Sequence, residues 1–411
     1  MKQTFRLITS FSDRLISNYH LRKQKLREHG IFGTMKNSSG YVLIIVLLIS
    51  AVLVSVSTEF LITAQTNINY IVKFSDKLKA SLIAKTGMDM GQFILEADRR
   101  GMTGGLLPRA VDKNIDCFQD LWALKLPEMP MEQGSLHIKI YDESAKINLS
   151  ILANEFVDST LYYTITQRFF MNMGLPLDLA DAIIDWVDID DSRFPYGAES
   201  ADYYQNLKVP YTAKNNAMDS INELLLVKGI TPEIFYGMGG GNFGKESNLV
   251  KDNMGKRELN TELLTKMDPK NASTTISDYK NDIRNLDVKI GKEKSRKLSD
   301  YFRVYGERSD YLSDYNKINI NTASYRVLSA LTDNMTDDIV TEIIKRRMIR
   351  PFSNVNEVKD LIVDENVINN IVSVKSYLFK IVATGRINST TCRITGYYLR
   401  DEKRFLYWRE E

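Results

Sequence analysis

The chain is poor in the residues that carry most enzymatic and metal chemistry. Its only cysteines are Cys117 and Cys392, which excludes a disulfide scaffold and any zinc site built on several thiolates. One bridge or two free thiols both remain compatible with the sequence. The three histidines are His20, His29 and His137. His137 lies between Leu136 and Ile138 and is expected on a strand face, so a nucleophilic triad has no evident base. Neither sign of charge dominates: 54 Lys and Arg face 52 Asp and Glu, a net +2. That balance gives no general affinity for nucleic acid or for acidic partners. The nearest approach to a phosphate-binding loop, Gly239 to Glu246 (GGGNFGKE), places Glu246 where a magnesium-ligating hydroxyl belongs. It reads as a loop without nucleotide.

What is present is a globular composition, 44% apolar and 26% charged over 411 residues, enough for two or three modules. The N-terminus departs from it. Residues 1–36 are strongly basic, with Lys2, Arg6, Arg14, Arg22, Lys23, Lys25, Arg27 and Lys36 against Asp13 and Glu28. From Tyr41 to Thr58 (YVLIIVLLISAVLVSVST) no charge occurs. As a helix that run is roughly 27 Å long, enough to cross a hydrocarbon core, and the basic flank predicts a cytoplasmic N-terminus. A core helix is the alternative, but the apolar residues surround every face. No small-residue signal-peptidase site follows the run. Apolar residues continue at helical spacing through Phe60, Ile68, Ile71, Val72, Leu78, Leu82 and Ile83, so one helix on the order of 85 Å is expected over 41–97.

A basic leader ending in glycine, followed by a span that continues as one long helix, resembles the prepilin class. The match is Lys36-Asn37-Ser38-Ser39-Gly40 before Tyr41. The resemblance implies cleavage by a membrane prepilin peptidase between Gly40 and Tyr41. Counted from Met35 the leader reads MKNSSG, so residues 1–34 are either an overlong leader or an upstream extension, and the true start, Met1 or Met35, stays open. Most members of that class have glutamate at the fifth mature position; here Ile45 stands there.

Beyond a Gly- and Pro-containing loop, Ser135–Tyr141 alternates as a strand. Further strands are expected only near the C-terminus, at Tyr377–Gly385, Cys392–Leu399 and Arg404–Trp408. Sheet strands so far apart imply an inserted, mostly helical domain. That insert contains an echo: Lys146-Ile147-Asn148-Leu149 resembles Lys317-Ile318-Asn319-Ile320, each ahead of short amphipathic helices. The expected fold is therefore α+β. The expected organisation is a leader over 1–40 and a long helix over 41–97 with a transmembrane half at 41–58. A pilin-like body with an antiparallel sheet follows from 98–145 and 375–411. The all-α insert comprises two SAM or helix-hairpin-helix-like units at 146–236 and 317–374, joined by a solvated connection over 237–316.

The most acidic stretch is 181–202, where Asp181, Asp185, Asp188, Asp190, Asp191, Glu199 and Asp202 face only Arg193. Pro195 and Gly197 force turns there, and several hard oxygens could converge as calcium requires. A solvated acidic loop is the plain alternative; an EF-hand is excluded by the spacing.

The order of leader, missing fifth-position glutamate, INL and INxNTA repeats, and AIIDWVDIDD…GAESADYY resembles the K-type minor pseudopilin family of type II secretion. The resemblance implies a non-enzymatic, single-pass inner-membrane protein with its bulk in the periplasm. It implies a place at the tip of a short pseudopilus, helping start its assembly for export of folded proteins. The partners it implies are I-type and J-type minor pseudopilins, the major pseudopilin, the prepilin peptidase and the inner-membrane secretion platform, with no nucleic acid. It also implies calcium, for which Asp188, Asp190, Asp191, Glu199 and Asp202 are the expected ligands. The rival reading is a membrane-tethered helix-hairpin-helix protein binding DNA in an uptake pseudopilus. Lys345, Arg346, Arg347 and Arg350 favour it, but the hairpin Leu331–Asp338 lacks glycine and carries acids that repel phosphate.

Overall fold

A computed structural model describes residues 38–102, 112–153, 159–237, 297–305 and 314–411. The leader before Ser38, the glycine-rich loop at 239–246 and most of the expected connection lie outside the described residues. The chain divides into two units, Met1–Phe74 and Ser75–Glu411.

Helix α1 runs Ser38–Arg99, two residues beyond the expected C-terminal limit. No proline interrupts it, and its apolar content sustains it through both units. In the first unit it is exposed on all sides, and its best 18-residue window has a mean hydropathy of 2.6. It is long and apolar enough to cross a membrane.

In the second unit, α1 lies on a five-stranded antiparallel sheet. The strands are β1 (Met129–Met131), β2 (Gly134–Asp142), β7 (Leu378–Ile387), β8 (Thr390–Leu399) and β9 (Arg404–Glu410), in the spatial order β1-β2-β7-β8-β9. Four match the expected strands; the short edge strand β1, with a proline and two methionines, gave no alternation to find. Small residues set the helix against the sheet. Ala80, Ala84, Gly87 and Gly91 recur at helical spacing, and a Cβ on Gly87 would come within 2.6 Å of Leu136 and 2.8 Å of Ala383. On the sheet side, a Cβ at Gly385 would lie 2.1 Å from the Ala80 carbonyl oxygen. Leu136, Ile138, Phe379, Ile381, Ala383 and Ile394 complete that core.

The insert leaves the sheet after β2 and returns at β7. Its elements are β3 (Ile147–Asn148), α2 (Ser159–Asn172), α3 (Asp178–Val187), α4 (Pro232–Tyr236), β4 (Phe302–Arg303), β5 (Ile318–Asn319), α5 (Tyr325–Ser329), α6 (Asp337–Ile349), α7 (Glu365–Asn370) and β6 (Val372–Ser373). The sequence echo has a structural counterpart. β3 pairs in parallel with β4, and β5 pairs in parallel with β6. In each copy the asparagine side chain accepts from the backbone amide two residues on: Asn148 from Ser150 at 3.1 Å and Asn319 from Asn321 at 2.9 Å. The motif is a strand-ending turn that launches each helical unit.

One expectation needs correction. The end of the expected solvated connection is not solvated: Leu298, Tyr301, Phe302 and Val304 are buried, and β4 completes the first unit. Its acid- and base-rich surroundings masked a short apolar segment. The two helical halves of the insert share one apolar cluster, in which Phe169 and Ile183 belong with Val327, Ile343 and Val367. Arg168 pairs with Asp333 across them.

Candidate metal centre

The acidic stretch begins on α3. Its apolar side is buried throughout, yet Asp181 and Asp185, one turn apart, are buried with it at 3% and 0% exposure. Both serve the loop that follows. Asp185 Oδ1 accepts from the Phe194 amide at 3.0 Å, and Asp181 Oδ2 accepts from the Tyr196 amide at 3.2 Å. Tyr163 donates its hydroxyl to Asp181 Oδ1 at 2.5 Å. Helix α3 stops at Asp188, whose extended backbone carries the chain outward. Lys228 donates to the carbonyls of Tyr196 and Gly197, at 3.2 and 2.9 Å, and so pins the far side of the loop.

The five expected ligands are not equivalent. Glu199 is buried at 3% exposure and Asp188 is half-buried. Asp190 and Asp191 are exposed; the first accepts from the Ser192 amide at 2.6 Å, the second from Asn215 Nδ2 at 3.0 Å. Asp202 is already engaged by Arg193 at 2.8 Å and by the Glu199 amide at 2.8 Å. Two oxygen donors stand beside Asp188 and Glu199 that the expected set omitted, on Asp185 and Asn215. Asp185 Oδ2, Asp188 Oδ1, both oxygens of Glu199 and Asn215 Oδ1 are buried without any hydrogen-bond donor among the described residues. Such groups cost about 1–3 kcal/mol each when left unsatisfied. Asn215 is held at a positive φ of 45°, with its amide donating to the Trp186 carbonyl at 3.1 Å.

Electrostatics agree with that inventory. Burial, then neighbouring carboxylates, push Asp188 up to about 7, Asp185 first by burial to about 6, and Glu199 first by burial to about 7. Gly197 is required by close approach: a Cβ there would sit 1.9 Å from Asp185 Oδ2. The donor set is all oxygen, hard and mostly anionic, with Asn215 the neutral member, which fits calcium rather than a thiolate- or imidazole-seeking metal. The carboxylates have not drawn fully together, however. Among the described residues, the only three acids with oxygens all within 4.8 Å of one another are Asp98, Asp116 and Asp120, elsewhere in the molecule.

That second cluster already contains its cation. Arg400 grips Asp116 with two bonds of 2.6 and 2.7 Å and lies 3.9 Å from Asp98. Asp116 also accepts from the Ser376 amide at 2.7 Å, while its carbonyl takes the Asn319 side-chain amide at 2.9 Å. Beside it, Asp142 accepts from Thr322 at 2.5 Å and Ser376 at 2.6 Å. The cluster is the joint between sheet body and insert. Its members are spread over most of the chain, and no local pattern announces it. Cys117 is buried there, with its thiol 3.3 Å from Asp120; Cys392 is buried in the sheet core beside Glu410, and both thiols are free.

Residues 145–238 match the family described as "Type II secretion system (T2SS), protein K", and residues 318–368 match a second profile of the same description. Both matches are to protein K of type II secretion, and together they cover about a third of the chain. Members of this family are minor pseudopilins of type II secretion. The matched segments are the two helical units, and the first contains the acidic loop. Type II secretion system protein K of Aeromonas hydrophila is 27% identical over 138 residues, 30% of this chain and 41% of that protein. The match to that curated relative therefore spans well under half its length. The crystal structure of the GspK-GspI-GspJ complex from enterotoxigenic Escherichia coli superposes with a TM-score of 0.54. It shares 16% identity and covers 85% of this chain and 99% of the matched one, so the likeness is one of fold.

Proposed function

We propose that this chain is the K-type minor pseudopilin that caps a short periplasmic pseudopilus and helps start its assembly, with I-type and J-type partners like those named in the structural relative. The observation that carries the proposal is the unsatisfied apolar side of α1. In the second unit its other side is spent on the sheet, while Leu78 and Leu82 are 54% and 55% exposed; in the first unit Ile68 and Val72 are 56% and 50% exposed. A helix with one face packed and another apolar face open suits lateral packing on partner helices. Ile45 supports the terminal place, because it offers no intramembrane carboxylate to a subunit above. The large insert would obstruct such a subunit. Co-purification with I-type and J-type subunits should give a 1:1:1 complex. A complex-free chain that binds DNA tightly, with affinity falling steeply in salt, would instead support the uptake reading.

Processing belongs to the same proposal. Gly40 and Tyr41 lie in the first turn of α1, next to the basic leader that would stay cytoplasmic. Prepilin peptidase should release a chain beginning at Tyr41, and Gly40→Val should block the cut. N-terminal sequencing that finds another first residue overturns the assignment. The mature helix then anchors a single-pass inner-membrane protein with its bulk in the periplasm, where the major pseudopilin and the secretion platform would meet it.

Calcium is the proposed ligand of the acidic loop. Asp188, Glu199, Asp185 and Asn215 would hold it, since their oxygens are buried and lack donors. Asp190 and Asp191 stand at the exposed rim. Asp202 serves Arg193 and the Glu199 amide, and so shapes the loop. The bound ion would supply charge neutralisation and rigidity, with no reaction at the site.

A further inference from the structure

The two faces of the five-stranded sheet differ in kind. One lies under α1 and is apolar. The other bears Lys139, Arg386, Arg393 and Arg409, all exposed, and the half-buried Lys380. Strand register sets their arrangement. Lys139, Val382, Thr395 and Arg409 form one row across β2, β7, β8 and β9. The next row holds His137, Thr384 and Arg393. Acids on this face lie at its margins. Glu128 sits 4.0 Å from Arg386, and Glu411, the last residue, lies opposite Arg393 on the β8–β9 ladder and turns its side chain to Arg409 at 2.9 Å. Asp300 approaches Tyr141 at the end nearest the insert. Lys139 and Arg393, in the interior, have no ion-pair partner among the described residues, and Lys380 is flanked by the rings of Tyr141 and Tyr397 at 5.9 and 5.8 Å.

We propose that this outer sheet face is a docking surface for an acidic protein segment, with Lys139 and Arg393 at its centre. Charge complementarity selects the occupant. The cations are dispersed: neighbouring strands are about 4.8 Å apart and successive same-face residues about 6.8 Å, so Lys139 and Arg409 stand roughly 14 Å apart. No two converge on one point, as a single phosphate group would require. A depression on the face, bounded by Glu128, His137, Thr384 and Arg386, holds about 150 Å³. That is below the ~300 Å³ at which small-molecule sites begin. A polypeptide bearing several carboxylates can instead meet the cations one at a time, with Arg forks taking carboxylates in bidentate fashion. Threonine hydroxyls and the 46%-exposed Tyr141 ring supply the neutral contacts between them. The surface is separate from the apolar stripe of α1, and the proposal stands whether or not the chain caps a pseudopilus.

The test uses the full-length chain in a non-ionic detergent and a fluorescein-labelled 20-residue polyglutamate peptide, followed by anisotropy. Binding at 50 mM NaCl should weaken at 300 mM. Lys139→Glu with Arg393→Glu should weaken it ten-fold or more, and Lys208→Glu with Lys359→Glu, an equal charge change at exposed sites elsewhere, should leave it unchanged. Circular dichroism checks folding. Should the reversal not fold, Lys139→Gln with Arg393→Gln replaces it and should weaken binding in the same direction. Equal binding by the face and control variants overturns the proposal. So does a 20-nucleotide oligothymidylate, or phosphatidylglycerol vesicles, binding more tightly than the peptide through the same two residues.

Discussion

The two acidic clusters of this molecule are built from the same side chains and solve the same problem differently. At the joint, Asp98, Asp116 and Asp120 crowd within 4.8 Å of one another, and the guanidinium of Arg400 is folded in among them. In the acidic loop, burial first and then neighbouring acids raise the pKa values of Asp185, Asp188 and Glu199, yet no side-chain cation among the described residues reaches their buried oxygens. Arg193 goes to Asp202, and Lys228 goes to two carbonyls. A cluster that closes is one that carries its own cation; one that stays open, with orphaned oxygens, has room for a cation from outside. The closed cluster is therefore architecture, and the open one is the candidate site.

Removing Arg400 is the strongest way to break this comparison. Arg400→Ala would leave Asp116, and Asp98 beside it, buried without their cation, and losing one partner of a buried pair typically costs about 3–5 kcal/mol. We expect thermal unfolding at pH 7.5 to show a loss of that order, with a smaller loss at pH 5, where the acids can protonate. A variant as stable as the wild type would mean that the guanidinium is not what holds the joint together.

Calcium should have the next largest effect, and only at the loop. At a hundred-fold excess over Kd, binding adds about 2.7 kcal/mol to the stability of the folded chain. A soluble segment starting near residue 65 should therefore melt several degrees higher in calcium, and a chelator should reverse the shift. Asp188→Ala with Asp190→Ala should abolish it. Asp185→Asn and Gly197→Ala sharpen the point, because neither residue belongs to the ligand set the loop sequence suggested. Each should weaken the shift, the second because its new methyl would occupy the place of Asp185 Oδ2. An unmoved melting curve in the wild type would leave the loop merely acidic.

The difference between the clusters also explains what could be foreseen. The long helix, four strands of the sheet and the paired asparagine motifs were legible because periodicity and short repeats are local properties of the chain. The acidic loop was legible as a cluster, since most of its acids fall within 22 residues of sequence, 181–202. Its best donors were not. Asp185 looks like a polar interruption on a buried helix, and Asn215 reaches the site only because the chain folds back to Trp186. The joint was invisible, because Asp98, Asp120 and Arg400 meet only after the insert has been bypassed. Likewise, β4 hid at the end of a charged stretch whose few apolar residues are too sparse to signal a strand.

The smallest expected effect concerns protons. Burial, with Asp116 nearby, pushes Asp98 up to about 6; burial, with Asp98 nearby, pushes Asp120 up to about 7. A carboxyl whose pKa is higher in the folded chain than in the unfolded one binds its proton more tightly when folded. Its stabilisation is complete below the unfolded value near 4 and is lost as pH rises through 6 and 7. Asp185, Asp188 and Glu199 would add a slope of the same sign, so the measurement belongs in saturating calcium, which on the proposed binding would hold those groups ionised. Under that condition the wild-type stability should fall by about 2 kcal/mol between pH 6 and pH 8, since a tenfold difference in proton affinity between folded and unfolded chain is worth roughly 1.4 kcal/mol. Asp98→Asn with Asp120→Asn should flatten the curve, because each neutral amide keeps one acceptor oxygen for the backbone amide it serves but has no proton to lose. If the slope survives those substitutions in calcium, the joint is not its source, and the contrast between a cluster with its own cation and one awaiting an ion loses its electrostatic basis.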